Sequence, residues 1–257
     1  MPLSATLITY EFPLIERVRT LLRLEALFAR VDLFVHRTDP QDHHAALLGL
    51  FEILEVVGRA ELKSDLLQEL ERQRQLMASF RSNPEADQRV LAGVVDGIER
   101  AAAAIHGMTG KVGQHLREND WLMGIKQRAA IPGGACAFDL PSYHRWLHRD
   151  DAARIEALNR WVSPMHPIRD GAILVLAMLR ESGKAQRLSA PQGMFQQSLG
   201  GRVAQIVRIR VPIWPECVPE VSANRYALNI RFTVQGDDPR PRTLDQDVNF
   251  ELTFCSL

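Results

Sequence analysis

The chain has little that would serve a metal, a membrane or a redox centre. Its three cysteines, Cys136, Cys217 and Cys255, are odd in number, far apart and never spaced as CxxC. That spacing excludes a zinc ribbon and gives no basis for a disulfide framework, so reduced thiols are expected. Charge of one sign is missing too: 31 Lys and Arg residues balance 31 Asp and Glu. A chain-wide role on nucleic acid would need a basic excess. The densest apolar run, 172–179, falls far short of the roughly 20 residues that cross a bilayer. The N-terminal MPLSATLITYEFPL has neither the basic n-region nor the long apolar h-region of a signal peptide. A cytoplasmic protein with no nucleic-acid partner and no membrane insertion is expected.

What is present is ordinary for a globular protein: 46% hydrophobic and 24% charged residues in 257, enough for one large domain or two modest ones. After a short β-like segment at 8–12, stopped by Pro13, the apolar residues recur with a helical period. Leu14, Val18, Leu21, Leu22 and Phe28 mark one face of a first helix. Arg19, Arg23, Arg30 and Arg37 fall within about 40° of one another on it, a basic stripe that most simply faces solvent. Asp39-Pro40 supplies an N-cap and an N1 proline for a second helix, apolar nearly all round and therefore expected to be buried. A third helix begins near Glu61, a fourth after Asn83-Pro84, and a fifth is expected to run from 109 to about 127. Two further helices precede Ser182-Gly183-Lys184.

Beyond residue 184 the period changes from 3.6 to 2. Val207, Ile209 and Val211 alternate with Arg208 and Arg210; Leu228, Ile230 and Phe232 alternate with Asn229, Arg231 and Thr233; Val248, Phe250 and Leu252 alternate with Asn249 and Glu251. Such segments are half-buried antiparallel strands. The expected fold is α+β: an N-terminal helical bundle domain, 1–184, followed by a C-terminal antiparallel β domain, 185–257. Residues 8–12 are a candidate strand for the C-terminal sheet. The wet face of these strands carries Arg208, Arg210, Arg225 and Arg231 against one carboxylate, Glu251.

The segment 131–148, IPGGACAFDLPSYHRWLH, is the densest in chemistry. Pro132-Gly133-Gly134 and Leu140-Pro141 break regular structure, and the apolar residues 135–138 between them are expected to tuck against the core. Cys136 with His144 suggests a thiol nucleophile and base, and His144 with His148 has the i,i+4 spacing of metal ligands. A cysteine- or metal-dependent hydrolase using Cys136, His144 and His148 is thus one reading. Against it, HExxH would place glutamate where Arg145 stands, and an apolar setting would raise the thiol pKa; a packed, inert Cys136 is the simpler expectation. Gly110-Lys111 fails as a phosphate loop, because Ile105 and Val112 replace the first glycine and the Ser/Thr. The other reading is a binding surface, with arginines pairing bidentately with carboxylates.

Pro13-Leu14 with Arg19-Thr20, Arg23 and Glu25; the run 66–73, LLQELERQ; Gly113-Gln114 with Leu116-Arg117-Glu118; Lys126-Gln127-Arg128 before Ile131-Pro132-Gly133-Gly134; Phe138-Asp139-Leu140-Pro141 with His144 and Trp146-Leu147-His148; and Arg225-Tyr226-Ala227 with Ile230-Arg231-Phe232 together resemble the ZapD family of bacterial cell-division proteins. The matches run in family order from about Pro13 to Phe254. The resemblance implies a helical domain joined to a β domain, a homodimer, no catalysis and no cofactor. It also implies a basic pocket between the domains that receives the C-terminal tail of FtsZ, so that a dimer cross-links protofilaments at the midcell division ring. The family's basic positions fall on Arg23, Arg59, Arg117, Arg128, His144, Arg225 and Arg231, of which Arg23, Arg117, Arg128 and Arg231 also suit internal ion pairs. Asn119-Asp120 departs from the family pattern, which carries a further basic residue there, and an extra residue within 226–230 shifts the register before Arg231.

Overall fold

The computed structural model describes residues 6–58, 61–84, 87–201, 203–214, 216–236 and 240–257. Strand β1 (Leu7–Pro13) leads into α1 (Glu16–Val35), α2 (Pro40–Gly58), α3 (Leu62–Ser79), α4 (Gln88–His106), α5 (Gln114–Arg117), α6 (Asp120–Ala129), α7 (Pro141–Leu147), α8 (Asp151–Val162) and α9 (His166–Glu181). The strands follow: β2 (Gln186–Ala190), β3 (Met194–Ser198), β4 (Ile206–Pro212), β5 (Val218–Ala223), β6 (Ala227–Val234), β7 (Arg242–Thr243) and β8 (Val248–Cys255). The fold is α+β, helices first and antiparallel strands after. The chain forms two compact units, one of Met1–Arg19 with Leu176–Leu257 and one of Thr20–Val175. Among the described residues no helix is long and apolar enough to cross a membrane.

In the helical unit, α2 starts where Asp39 accepts the Gln41 N–H at 2.7 Å, and it is buried on most of its circumference, from His43 and Leu47 to Leu54 and Val57. Helices α3 and α4 each bury one stripe, Leu62, Leu66 and Leu70 on the first and Leu91, Val95, Ile98 and Ile105 on the second. Two boundaries differ from expectation. Helix α4 is capped by Asp87, whose carboxylate accepts from the Arg89 and Val90 N–H groups, because a β-region aspartate satisfies two orphan donors that Asn83-Pro84 cannot reach. The expected fifth helix, 109–127, is two. Gly113 takes φ +74° before α5, and the Asn119 side chain caps α6 by accepting from Leu122 N–H at 3.0 Å.

In the other unit the strands form two sheets, not one, ordered β1-β4-β8-β2 and β3-β6-β5 with β7 beside β6. Pairing is antiparallel throughout, and Tyr10, Ile209 and Leu252 lie in successive register. Their inward faces make a common core of Val207, Ile209, Val211, Leu228, Ile230, Phe232, Phe250 and Leu252. The Phe250 ring lies 5.1 Å from Phe232 and 5.2 Å from Phe195 of the facing sheet. That is the two-layer solution for strands apolar on one face.

The arginines expected on one wet face are therefore split. Arg208 and Arg210 stand on β4, Arg231 stands on β6 of the other sheet, and Arg225 is in the turn before it. The carboxylates come from strands distant in sequence. Glu11 of β1 takes Arg208 at 2.9 Å and Arg180 at 2.7 Å. Glu251 takes Arg210 and Arg187. Glu220 of β5 takes Arg231, opposite it in the register.

Candidate partner-binding surface

The helical unit carries a groove of about 750 Å³ where α2 ends, α3 begins and the segment 110–117 passes. Lys63, Lys111 and Arg117 line it, with Glu61 and Ser64. Arg117 is a strut as well as a charge. One terminal N–H donates to the Val112 carbonyl at 2.7 Å, and the other to the Leu54 carbonyl at 2.9 Å. Gly58 leaves room for this, since a Cβ there would lie 2.8 Å from the guanidinium. Lys63 likewise donates to the Met108 carbonyl at 2.7 Å. Carbonyls do not cancel the cations, so the groove remains positive.

The segment 131–148 departs most from expectation. Cys136 is exposed, and so are Ile131, Ala137 and Phe138, the last at 84%. The apolar residues are not tucked in, and the cysteine is not a packed thiol. The reason is local. Successive turns join Ile131 N–H to Arg128 O and Gly134 N–H to Ile131 O, both at 2.9 Å. Gly134 then lies so close over the end of α6 that a Cβ would sit 2.2 Å from the Arg128 carbonyl oxygen. The loop's backbone is what packs, and its side chains point away.

Helix α7 follows with Tyr143 and Trp146 buried. Their rings stack at 5.8 Å and meet Trp121 and Trp161 at 5.7–6.2 Å. The Tyr143 hydroxyl lies 2.7 Å from His44 Nδ1, and burial pushes this phenol's pKa up and the His44 imidazole's down. Beneath the end of α7 lies Arg154, 5% exposed. It donates to the carbonyls of Thr38, Leu147 and Arg149, and its Nε donates to His43 Nδ1 at 2.8 Å. That leaves His43 Nε2–H to donate to the Arg37 carbonyl at 2.6 Å, which fixes a neutral tautomer.

The sequence-derived positions are distributed as follows. Arg23 is exposed on α1, and Arg59 lies outside the described residues. Arg117 joins Lys63 and Lys111 in the groove. Arg128 is half-exposed at the end of α6, 3.7 Å from Asp139. His144 is exposed on α7, its ring 4.5 Å from His148. Arg225 and Arg231 belong to the other compact unit. Arg225 packs its guanidinium 4.5 Å from the Tyr226 ring centre, at a depression of about 350 Å³ floored by Leu14, Leu199 and Ala204. An Asx turn holds it there, Asn224 accepting from the Tyr226 and Ala227 N–H groups. Arg231 is committed to Glu220 at 2.5–3.0 Å.

Of the expected basic stripe, Arg19 pairs with Glu16 and Arg30 with Glu52 on α1, and Arg37, which lies beyond the end of α1 and not on it, pairs with Asp42, at 3.4–3.5 Å. Sequence reasoning did not place Lys63, Lys111, Arg145, Arg149 or Arg154 among the partner-binding candidates. The i,i+4 repeat of His144-Arg145 and His148-Arg149 was the signal available for the surface pair; nothing local announces Arg154. Among the described residues no three His, Cys, Asp or Glu side chains gather as metal ligands. What the arrangement offers chemically is cationic hydrogen-bond donors beside apolar patches, suited to carboxylate-bearing chains.

Comparison with known proteins is consistent in name and extent. The family model for ZapD, described as a cell division protein, matches residues 22–231. The chain is 56% identical over 251 residues to "Cell division protein ZapD" of Azoarcus sp. (strain BH72), covering 98% of this chain and 100% of that protein. It is 55% identical over 252 residues to the protein of the same name from Dechloromonas aromatica (strain RCB), with 98% and 100% covered. The protein so named from Aromatoleum aromaticum (strain DSM 19018 / LMG 30748 / EbN1) is 54% identical over 250 residues, with 97% and 98% covered. Identity at this level over nearly the whole chain shows the family: this chain belongs to the ZapD family of cell division proteins.

Proposed function

We propose that this protein is a cytoplasmic division factor that binds the C-terminal tail of FtsZ and, as a homodimer, cross-links protofilaments into bundles at the midcell ring. Binding, not catalysis, is its activity in this reading, and it needs no cofactor. The observation that carries it is identity of 54–56% over nearly the full length to proteins named for cell division. The exposed arginines of an otherwise neutral chain support the chemistry. Arg225 is held by a turn and an aromatic ring, so its planar fork meets a carboxylate with little ordering cost. Two copies of such a surface in one dimer tether two tails, and the second binding step becomes intramolecular.

The test is fluorescence anisotropy of a labelled FtsZ C-terminal tail peptide titrated with the full-length protein at low and high salt. Saturable binding that weakens with salt, and weakens about tenfold or more in Arg225→Glu, is expected. Arg117→Glu is a poor companion, because Arg117 also holds the Leu54 and Val112 carbonyls. Absence of binding by the unmodified protein would overturn the reading.

A further inference from the structure

We propose that the groove where α2 ends and α3 begins binds a small, soluble, multiply charged anion that carries phosphate. This ligand is distinct from the FtsZ tail, and the inference does not rest on the functional reading above.

The lining sets the charge. Lys63, Lys111 and Arg117 face about 750 Å³, against one lining carboxylate, Glu61, among the described residues. None of the three cations is paired with a described carboxylate. Lys63 and Arg117 are held by carbonyls, yet each keeps donors to spare, because one bond to an ammonium or two to a guanidinium leave most of its N–H groups unused. Binding therefore orders little more of them. Lys111 is exposed and bonds to no described residue.

The backbone adds donors that the fold does not consume. Gly110 and Gly113 bracket the turn with φ of +69° and +74°, and the Gln114 N–H closes it on the Lys111 carbonyl at 3.0 Å. Between these glycines the chain is not regular, so its N–H groups are not committed to a ladder. Those of Gly110, Lys111, Val112 and Gly113 meet no acceptor among the described residues. At the same groove α3 starts with no side-chain cap, and the first N–H groups of any helix lack partners within it. Successive unspent N–H groups beside fixed cations suit the oxygens of a phosphate.

The rest of the lining narrows the ligand. No aromatic side chain lines the groove, so a nucleobase would gain no stacking there. Val112 stands where a nucleotide-binding loop has the Ser or Thr that holds magnesium, which disfavours a metal-bound nucleoside triphosphate. The large apolar residues of the lining, Val57, Leu62 and Val112, are buried. A protein segment thus finds no exposed apolar anchor of the kind that carries peptide affinity. A compact, charge-dense solute is what the groove fits.

The test is titration of the full-length protein with sodium pyrophosphate, at an ionic strength held constant with NaCl so that screening does not change along the series. Backbone amide signals of Gly110 and Gly113 are followed by nuclear magnetic resonance. They should shift along one saturating curve, with a dissociation constant of about 1 mM or tighter. Lys111→Glu reverses an exposed, unpaired charge, so it should keep the thermal midpoint and weaken binding about tenfold or more. Lys184→Glu makes the same reversal at an exposed position in the other compact unit and should bind as the unmodified protein does. Equal losses in both variants would mean attraction to the whole chain and not to the groove, and would overturn the inference. So would the absence of any shift up to about 10 mM pyrophosphate. Sedimentation with phosphatidic acid vesicles that is lost in Lys111→Glu, without pyrophosphate binding, would give the groove to a lipid headgroup and overturn it too. No arm uses the FtsZ peptide, so tail binding stands or falls separately.

Discussion

Arg149 and Arg154 lie five residues apart, yet they spend their charge in opposite ways. Arg154 is buried under the end of α7, and its guanidinium is consumed by three backbone carbonyls and His43. Arg149 is exposed, and only its carbonyl serves the interior. The difference shows that an arginine's role is set by what its donors meet, not by its charge. A buried guanidinium without a carboxylate is tolerable when carbonyls satisfy it. An exposed one with no partner is available for recognition. Arg117 sits between the two cases, half-buried, tied to two carbonyls and still facing a groove.

Removing the interior donor tests the comparison hardest. Arg154→Leu strips the Thr38, Leu147 and Arg149 carbonyls of a shared partner and leaves His43 Nδ1 unsatisfied. A loss of about 3–5 kcal/mol is expected, read as a lower urea midpoint with an unchanged slope. A loss under about 1 kcal/mol would mean that water replaces the guanidinium and that Arg154 is no more structural than Arg149. Gly134→Ala breaks the same region from its backbone side. The added Cβ meets the Arg128 carbonyl oxygen, main chain against main chain, so a cost of about 2–3 kcal/mol is expected. Because the clash is relieved only by lifting the loop, Cys136 should also alkylate at a different rate.

Arg117→Met should fall below these, at about 1–3 kcal/mol, because it strips two carbonyls of a partner where Arg154 serves three and a histidine. Its tail binding must be measured well below the new thermal midpoint. The outer pair then marks the other end of the scale. Arg145→Glu with Arg149→Glu is expected within about 0.5 kcal/mol of the unmodified protein, since surface charges without partners contribute little to stability. A large loss there would show that these exposed arginines also support the fold.

How far these roles were legible follows from what a periodic pattern encodes. The change from a 3.6 to a 2 period separates helices from strands because it reports which side of an element is apolar, and α2, β4, β6 and β8 were readable on that ground. The partition of strands between two sheets was not, since Ile209 and Leu228 look alike in sequence although they stand in different sheets of one core. Glu11 and Glu220 escaped the electrostatic count because their arginines are brought to them by strand pairing. In the candidate surface, Arg225 and His144 are exposed. Arg231 and the α1 stripe are not free charges, and only the structure supplies their partners. The loop before α7 misled most. An apolar run reads as buried, but Gly134 seats the backbone, not the side chains, and no hydropathy pattern registers that.

The smallest effect expected is a pH dependence at the His44–Tyr143 contact beneath α7. There the Tyr143 hydroxyl, when His44 is neutral, donates to its Nδ1, and burial lowers the imidazole's pKa below its usual 6.5. In the unfolded chain the same histidine protonates near 6.5, so below that pH the unfolded state binds the proton more readily than the folded one. Stability should therefore fall as pH drops through 6.5, and stop falling once the folded-state pKa is passed. His166, also lowered by burial and by Arg169, acts in the same direction, so the contribution of His44 is read as a difference. Urea midpoints of the unmodified protein and of His44→Gln are compared between pH 7.5 and pH 5.5. The variant should lose less stability over that interval. Equal losses would place the acid sensitivity elsewhere in the helical unit and leave the His44–Tyr143 contact as packing alone. A difference would show that the His44–Tyr143 contact carries a titratable contribution to folding.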